Sequence, residues 1–221
     1  STPLQTLFPY TTLFRSELIR KRIERTMKKM KVFSYLALGL GVAQILLMLT
    51  SWLLTAAMPE DYNRSLLSSE GIRWFFGQFQ DNLASPVLVW LVLGSIAYGA
   101  FCRSGIVHYK PDEYRQRFAM GVASFELGVF VIIMLALTLL PHAILLNVMG
   151  ALFPSSFTQS IIPYTAFAVT VVCCSFGVIS DNLKGVEDIF RSMSYGISTA
   201  SPLIVLYVFA AQLFYSVLYL I

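Results

Sequence analysis

Charge is scarce in this chain: Asp, Glu, Lys and Arg make up 13% of its 221 residues, against roughly 25% in a soluble globular domain. A surface that must face water on every side cannot be built from so few ionisable groups, which excludes a soluble enzyme. Cysteine is equally sparse, with three residues. Cys173 and Cys174 are adjacent and Cys102 stands far from them, a spacing that excludes a disulfide framework and a thiolate metal site. The two histidines, His108 and His142, are isolated and lack metal-ligand spacing. No HExxH helix, phosphate-cradling glycine loop or Ser/His/Asp set occurs. The sequence therefore predicts no catalytic residues, no metal and no cofactor, and the expectation is a protein that is not an enzyme.

What the chain has in abundance is apolar sequence, 57% by composition, with a mean hydropathy of +0.69. It comes in long blocks, several of them near the ~20 residues that carry a helix across a bilayer. Five spans are predicted, over residues 32–57, 86–101, 118–140, 161–179 and 197–221. Pro202 is expected to bend or initiate the last of them. The fold class is thus all-α, a polytopic membrane helix bundle whose solvent is the lipid bilayer.

The basic residues alternate along the chain. Seven Lys and Arg precede the first span, two lie in the first connection, four in the second, none in the third and two in the fourth. With five spans, one side receives 13 and the other 2, which predicts a cytoplasmic N-terminus and an external C-terminus in an inner membrane. Residues 17–31 read as a basic juxtamembrane helix. Their charge is explained by anionic lipid, so no nucleic-acid partner is expected.

Two connections are more than linkers. In the first, Ile72, Phe75, Phe76 and Phe79 recur at helical spacing beside Trp74, which fits a helix lying in the outer membrane interface or a capped helix packed on the bundle. The third, residues 141–160, is uncharged and apolar and fits a segment that dips into the membrane.

Polar residues inside the spans are the candidate solute path. Glu126 is the carboxylate of the third span and a candidate coupling residue, since an ionisable group at bilayer depth costs about 2.5 to 3.5 kcal/mol or more unless paired or hydrated. Against that stands a carboxylate that merely reaches the cytoplasmic headgroups. Gln44 lies mid-span in the first helix, and Gln212 begins a stripe with Tyr215, Ser216 and Tyr219. Gln44, Gln212, Tyr215 and Ser216 either line a path or make interhelical hydrogen bonds, the commoner role. Small residues (Ala37 and Gly41; Ser95 and Gly99; Gly121, Ser124 and Gly128) provide faces for close helix approach and predict a homo-oligomer or a partner membrane subunit.

Three stretches carry resemblances. Residues 6–16, TLFPYTTLFRS, resemble translated sequencing-library adapter, so residues 1–16 are set apart as an expected artefact from the single transmembrane domain at 32–221. Residues 65–106 resemble the p-aminobenzoyl-glutamate transporter (AbgT) family through Leu66, Leu67 and Ser68, then Glu70, Gly71, Ile72, Arg73 and Trp74, then Asn82 and Pro86, then Ser104, Gly105 and Ile106. Residues 153–214 are similar to the same family's later region through Gln159, Ser160, Ile161, Ile162 and Pro163, through Lys184, Glu187, Asp188, Arg191, Ser192, Met193 and Ser194, and through Phe209, Ala210, Ala211 and Gln212.

The resemblance implies a bacterial membrane transporter of a small organic anion or drug-like solute, driven by a proton or cation gradient. Two departures bear on that. The family's middle carries an Asn-Ile-Ala-Ser-Asp-like motif and a Gly/Ser-rich stretch, and residues 108–150 contain neither. The family's terminal hairpin and helices are not found after Gln212. A short or partial homologue is therefore expected, either an active carrier or a structural or regulatory membrane protein that keeps part of the scaffold.

Overall fold

In a computed structural model, residues 9–139 and 156–221 are described. They form α1 (Pro9–Ala57), α2 (Ser69–Gly77), α3 (Phe79–Leu83), α4 (Pro86–Arg103), α5 (Tyr114–Leu139), α6 (Ser156–Ile179) and α7 (Val186–Leu220), with a 3-10 turn at Ile106–His108 and no strand among the described residues. Five helices are long and apolar enough to cross a membrane: Met30–Ala57, Pro86–His108, Tyr114–Thr138, Ser160–Ile179 and Val186–Leu220. The all-α polytopic architecture read from hydropathy is the one observed.

Several boundaries differ from the sequence reading. Helix α1 runs unbroken from Pro9, inside the adapter-like stretch, through the basic segment into the first span. There, Arg20 and Glu24 pair across one turn at 3.1 Å. The last helix begins at Val186, eleven residues before the expected start at 197, because its polar first turns are held by acidic residues near the N-terminus and by the i,i+4 pair of Arg191 with Glu187 at 2.7 Å. Pro202 sits inside this helix and does not initiate it. Proline supplies no N–H for the Ser198 carbonyl one turn back, and the Ser201 hydroxyl donates to that carbonyl at 2.9 Å. The expected membrane-dipping stretch falls mostly on residues 140–155, outside the described residues.

The chain divides into two compact units, Ser1–Asn82 with Val205–Ile221, and Leu83–Ile204. In the second unit α6 packs along both α4 and α5. Its core is Ala119, Ala123, Val172 and Phe176, with Phe130 and Ile179 at the margin. The turn after α4 is locked from the far side of the sequence: Gly105 adopts a left-handed φ of 85°, which glycine takes without strain, and the Asn182 amide packs directly against it. That amide donates to the Ser104 carbonyl at 3.0 Å and to Ser180 Oγ at 2.9 Å. Small residues let α4 and the start of α7 touch backbone to backbone, with Ser95 and Gly99 against Ser192 and Gly196.

In the first unit, α1 and the end of α7 meet the short helices of the first connection. The chain crosses back over α1 through Ser51, whose Oγ accepts the Leu66 N–H at 3.2 Å and donates to the Met48 carbonyl at 2.8 Å. Leu66 is fully buried. Helix α2 starts at Ser68, whose side chain accepts the Gly71 N–H at 3.0 Å, an N-cap that satisfies one of the orphan donors of the first turn. Gly71 packs on the backbone of Ser65 and Leu66, where any Cβ would collide.

Candidate functional site

The site is built in the first unit from residues far apart in sequence. Gln44 of α1 and Ser216 of α7 are 172 positions apart, and Gln44 Nε2 donates to Ser216 Oγ at 2.9 Å. One turn before Ser216, Gln212 is buried at 5% exposure. Neither its Oε1 nor its Nε2 has a hydrogen-bond partner in the protein, and the Gln44 Oε1 is also unpartnered. Orphaned amide atoms in an apolar setting are costly, about 1 to 3 kcal/mol each, so they mark a place where a polar group from elsewhere is accommodated.

These amides face a cavity of about 720 Å³, lined on α1 by Ala37, Gly41 and Gln44, on α2 and α3 by Phe75 and Phe79, and on α7 by Phe209 and Gln212 among others. Its volume lies in the range of small-molecule sites, and apolar and aromatic walls with a few placed polar groups are their usual make-up. The sequence positions explain the geometry. Ala37 and Gly41, one turn apart, leave α1 thin where the cavity opens, and a Cβ on Gly41 would sit 3.8 Å from the Phe209 ring.

The aromatic helix of the first connection closes one side. Trp74 stacks on Tyr219 of α7, with ring centroids 4.4 Å apart and planes 21° from parallel. Arg64 lies over the same Tyr219 ring at 5.9 Å and donates from Nη1 to its carbonyl at 3.3 Å, while the Arg64 carbonyl accepts from Thr55 Oγ1 at 3.1 Å. Of the two readings of this segment, packing on the bundle accounts for Gly71, Trp74 and Phe75, whereas Ile72 and Phe76 remain exposed. The continuous aromatic helix expected from spacing is broken: α2 ends at Gly77, and Phe79 belongs to the separate α3.

Of the expected path residues, the structure brings together Gln44, Gln212 and Ser216 in this unit, with Ser216 fully buried. Tyr215 is half-buried there and packs edge-on against Phe214; it does not line the cavity. Glu126 lies in the other unit. It falls on the stripe Ala119, Ala123, Glu126, Phe130 that α5 turns toward α6, and its Oε2 is buried without a partner. Gly121 and Ser124 are exposed, on the opposite side of the helix, as helical spacing predicts. A second groove of about 250 Å³ runs between α5 and α6, past Phe130, Met134 and Tyr164. Its hydroxyls are spoken for: Tyr164 donates to the Phe130 carbonyl at 2.6 Å and Thr165 to its own helix.

Sequence reasoning missed Phe75, Phe79 and Phe209 as walls of one cavity, and Ser51 as the anchor of the returning chain. The signal for Ser51 was a hydroxyl inside an apolar span, one among several. Asn82, noted in the family resemblance, is buried with its Nδ2 unpartnered.

A bundle of five membrane-crossing helices with a solute-sized cavity and orphaned amides among them defines a multi-pass membrane protein of transporter type. The chain belongs to the AbgT putative transporter family, whose model matches residues 108–218, half of its length. That match takes in residues 153–214 and also residues 108–150, where the expected central motifs were missing; the earlier stretch, 65–106, lies outside it. No curated protein and no solved structure matches the chain.

Proposed function

We propose that this AbgT-family protein is a carrier for a drug-like organic solute, with the cavity of the first unit as solute site and protonation of Glu126 as the coupling event. The observation that carries the reading is the pair of glutamines, Gln44 and Gln212, presenting unpartnered amide atoms at a cavity walled by Phe75, Phe79 and Phe209. Glu126 supports the coupling role because a buried carboxylate oxygen without a partner, on the α6-facing side of a membrane helix, changes the packing energy of that helix pair when it gains or loses a proton. The same proposal places the protein in an inner membrane with the N-terminus cytoplasmic and the C-terminus outside, from the 13 to 2 division of basic residues. It also assigns self-association to the Gly121, Ser124 and Gly128 face, where a Cβ on either glycine meets open space.

The test is uptake into proteoliposomes under an imposed pH gradient, with anionic and uncharged aromatic solutes. Gradient-dependent uptake by the wild type, lost in Glu126→Gln with assembly intact, supports the reading. Uptake that is equal in both removes Glu126 from coupling. No uptake of any solute by the correctly assembled wild type points to the scaffold role without transport.

A further inference from the structure

We infer that the cavity between α1, α2, α3 and α7 takes an uncharged amphipathic molecule, with an apolar body and a polar end that both donates and accepts hydrogen bonds. The inference rests on reading this cavity as the solute site and names the class of solute.

Three features of the lining select that class. First, no ionisable side chain lines the cavity, so a charged ligand would leave water with no opposite charge to meet it, a transfer that apolar surroundings oppose strongly. Second, the unpartnered atoms are of both kinds. Gln212 Nε2 is a donor, while Gln212 Oε1 and Gln44 Oε1 are acceptors; Gln44 Nε2 is already engaged by Ser216. A carboxylate only accepts, so it would satisfy the one donor and oppose two carbonyl oxygens. An ammonium only donates and would leave the Gln212 N–H groups orphaned. A neutral carboxamide, or another head with both functions, meets all three atoms. Third, Phe75, Phe79 and Phe209 supply flat apolar faces from three helices, which suit an aromatic or alkyl body in a volume of about 720 Å³.

The experiment uses the full chain in phosphatidylcholine nanodiscs and two probes of matched body, 4-butylbenzamide and 4-butylbenzoate. Binding is measured by equilibrium dialysis, with empty nanodiscs subtracted. The amide should bind saturably and about tenfold more tightly than the carboxylate. Gln212→Leu should weaken the amide about fivefold, and Gly41→Leu, which fills the cavity from α1, should abolish binding. Each variant is required to elute as the wild type does, and Gln44→Leu, on a different helix, should reproduce the loss seen with Gln212→Leu.

Carboxylate binding as tight as that of the amide would overturn the uncharged class while leaving the cavity as a solute site. Amide binding that Gly41→Leu abolishes but neither glutamine variant changes would identify a purely apolar occupant such as a lipid acyl chain, and would also overturn the inference. Absence of saturable binding by either probe would remove the cavity from both this inference and the proposed function.

Discussion

Gly99 of α4 and Gly196 of α7 meet with no side chain between them: a Cβ on Gly99 would lie 2.6 Å from the Gly196 nitrogen, and one on Gly196 would collide with the Ser95 carbonyl. Because the obstacle is backbone, no rotamer change can relieve it. Gly196→Val should therefore destabilise the second unit by more than the ~1 to 3 kcal/mol typical of overpacking. Thermal unfolding in detergent should show a clearly lowered midpoint for Gly196→Val. Gly121→Val, facing open space, should leave it nearly unchanged.

The stack of Trp74 on Tyr219 fastens α2 to the end of α7. Such pairs contribute about 0.5 to 1.5 kcal/mol beyond their buried area. A double-mutant cycle of Trp74→Leu and Tyr219→Leu should return a coupling energy of that size. Additive effects would mean that α2 is held by its N-cap and by Gly71 alone.

Orientation and self-association are both open to cysteine chemistry. With the native cysteines replaced, a probe at Lys184 should stay protected from an impermeant reagent outside intact cells, and one at Arg64 should label. The reverse pattern would invert the topology. Ser124→Cys, on the exposed face of α5, should form an intermolecular disulfide under mild oxidation in native membranes, and failure to do so at high expression would remove that face as a contact.

The spans were legible because bilayer depth imposes a run of apolar residues that no other constraint imitates. Helix ends were less so. The start of α7 was placed late because Glu187, Asp188 and Arg191 read as loop, although as an ion-paired helical turn they satisfy one another. Small residues were legible as packing surfaces but not by partner. Ser95 and Gly99, expected to serve association between copies, are occupied by Gly196 within the chain. The candidate site was half legible: Gln44, Gln212 and Ser216 stood out as polar groups in apolar helices. Their meeting across 172 positions, and the convergence of Phe75, Phe79 and Phe209, are tertiary facts with no local periodic signal.

The central claim is that solute occupies the cavity beside Gln44 and Gln212, and photolabelling tests it most directly. A diazirine derivative of 4-butylbenzamide is irradiated with the protein in nanodiscs and the adducts are mapped by mass spectrometry. The account predicts adducts on α1 near Ala37, Gly41 and Gln44 and on α7 near Phe209 and Gln212, suppressed by excess unlabelled amide and absent in Gly41→Leu. Adducts concentrated instead on the groove of Phe130, Met134 and Tyr164, or spread along the lipid-facing surface without competition, would contradict it.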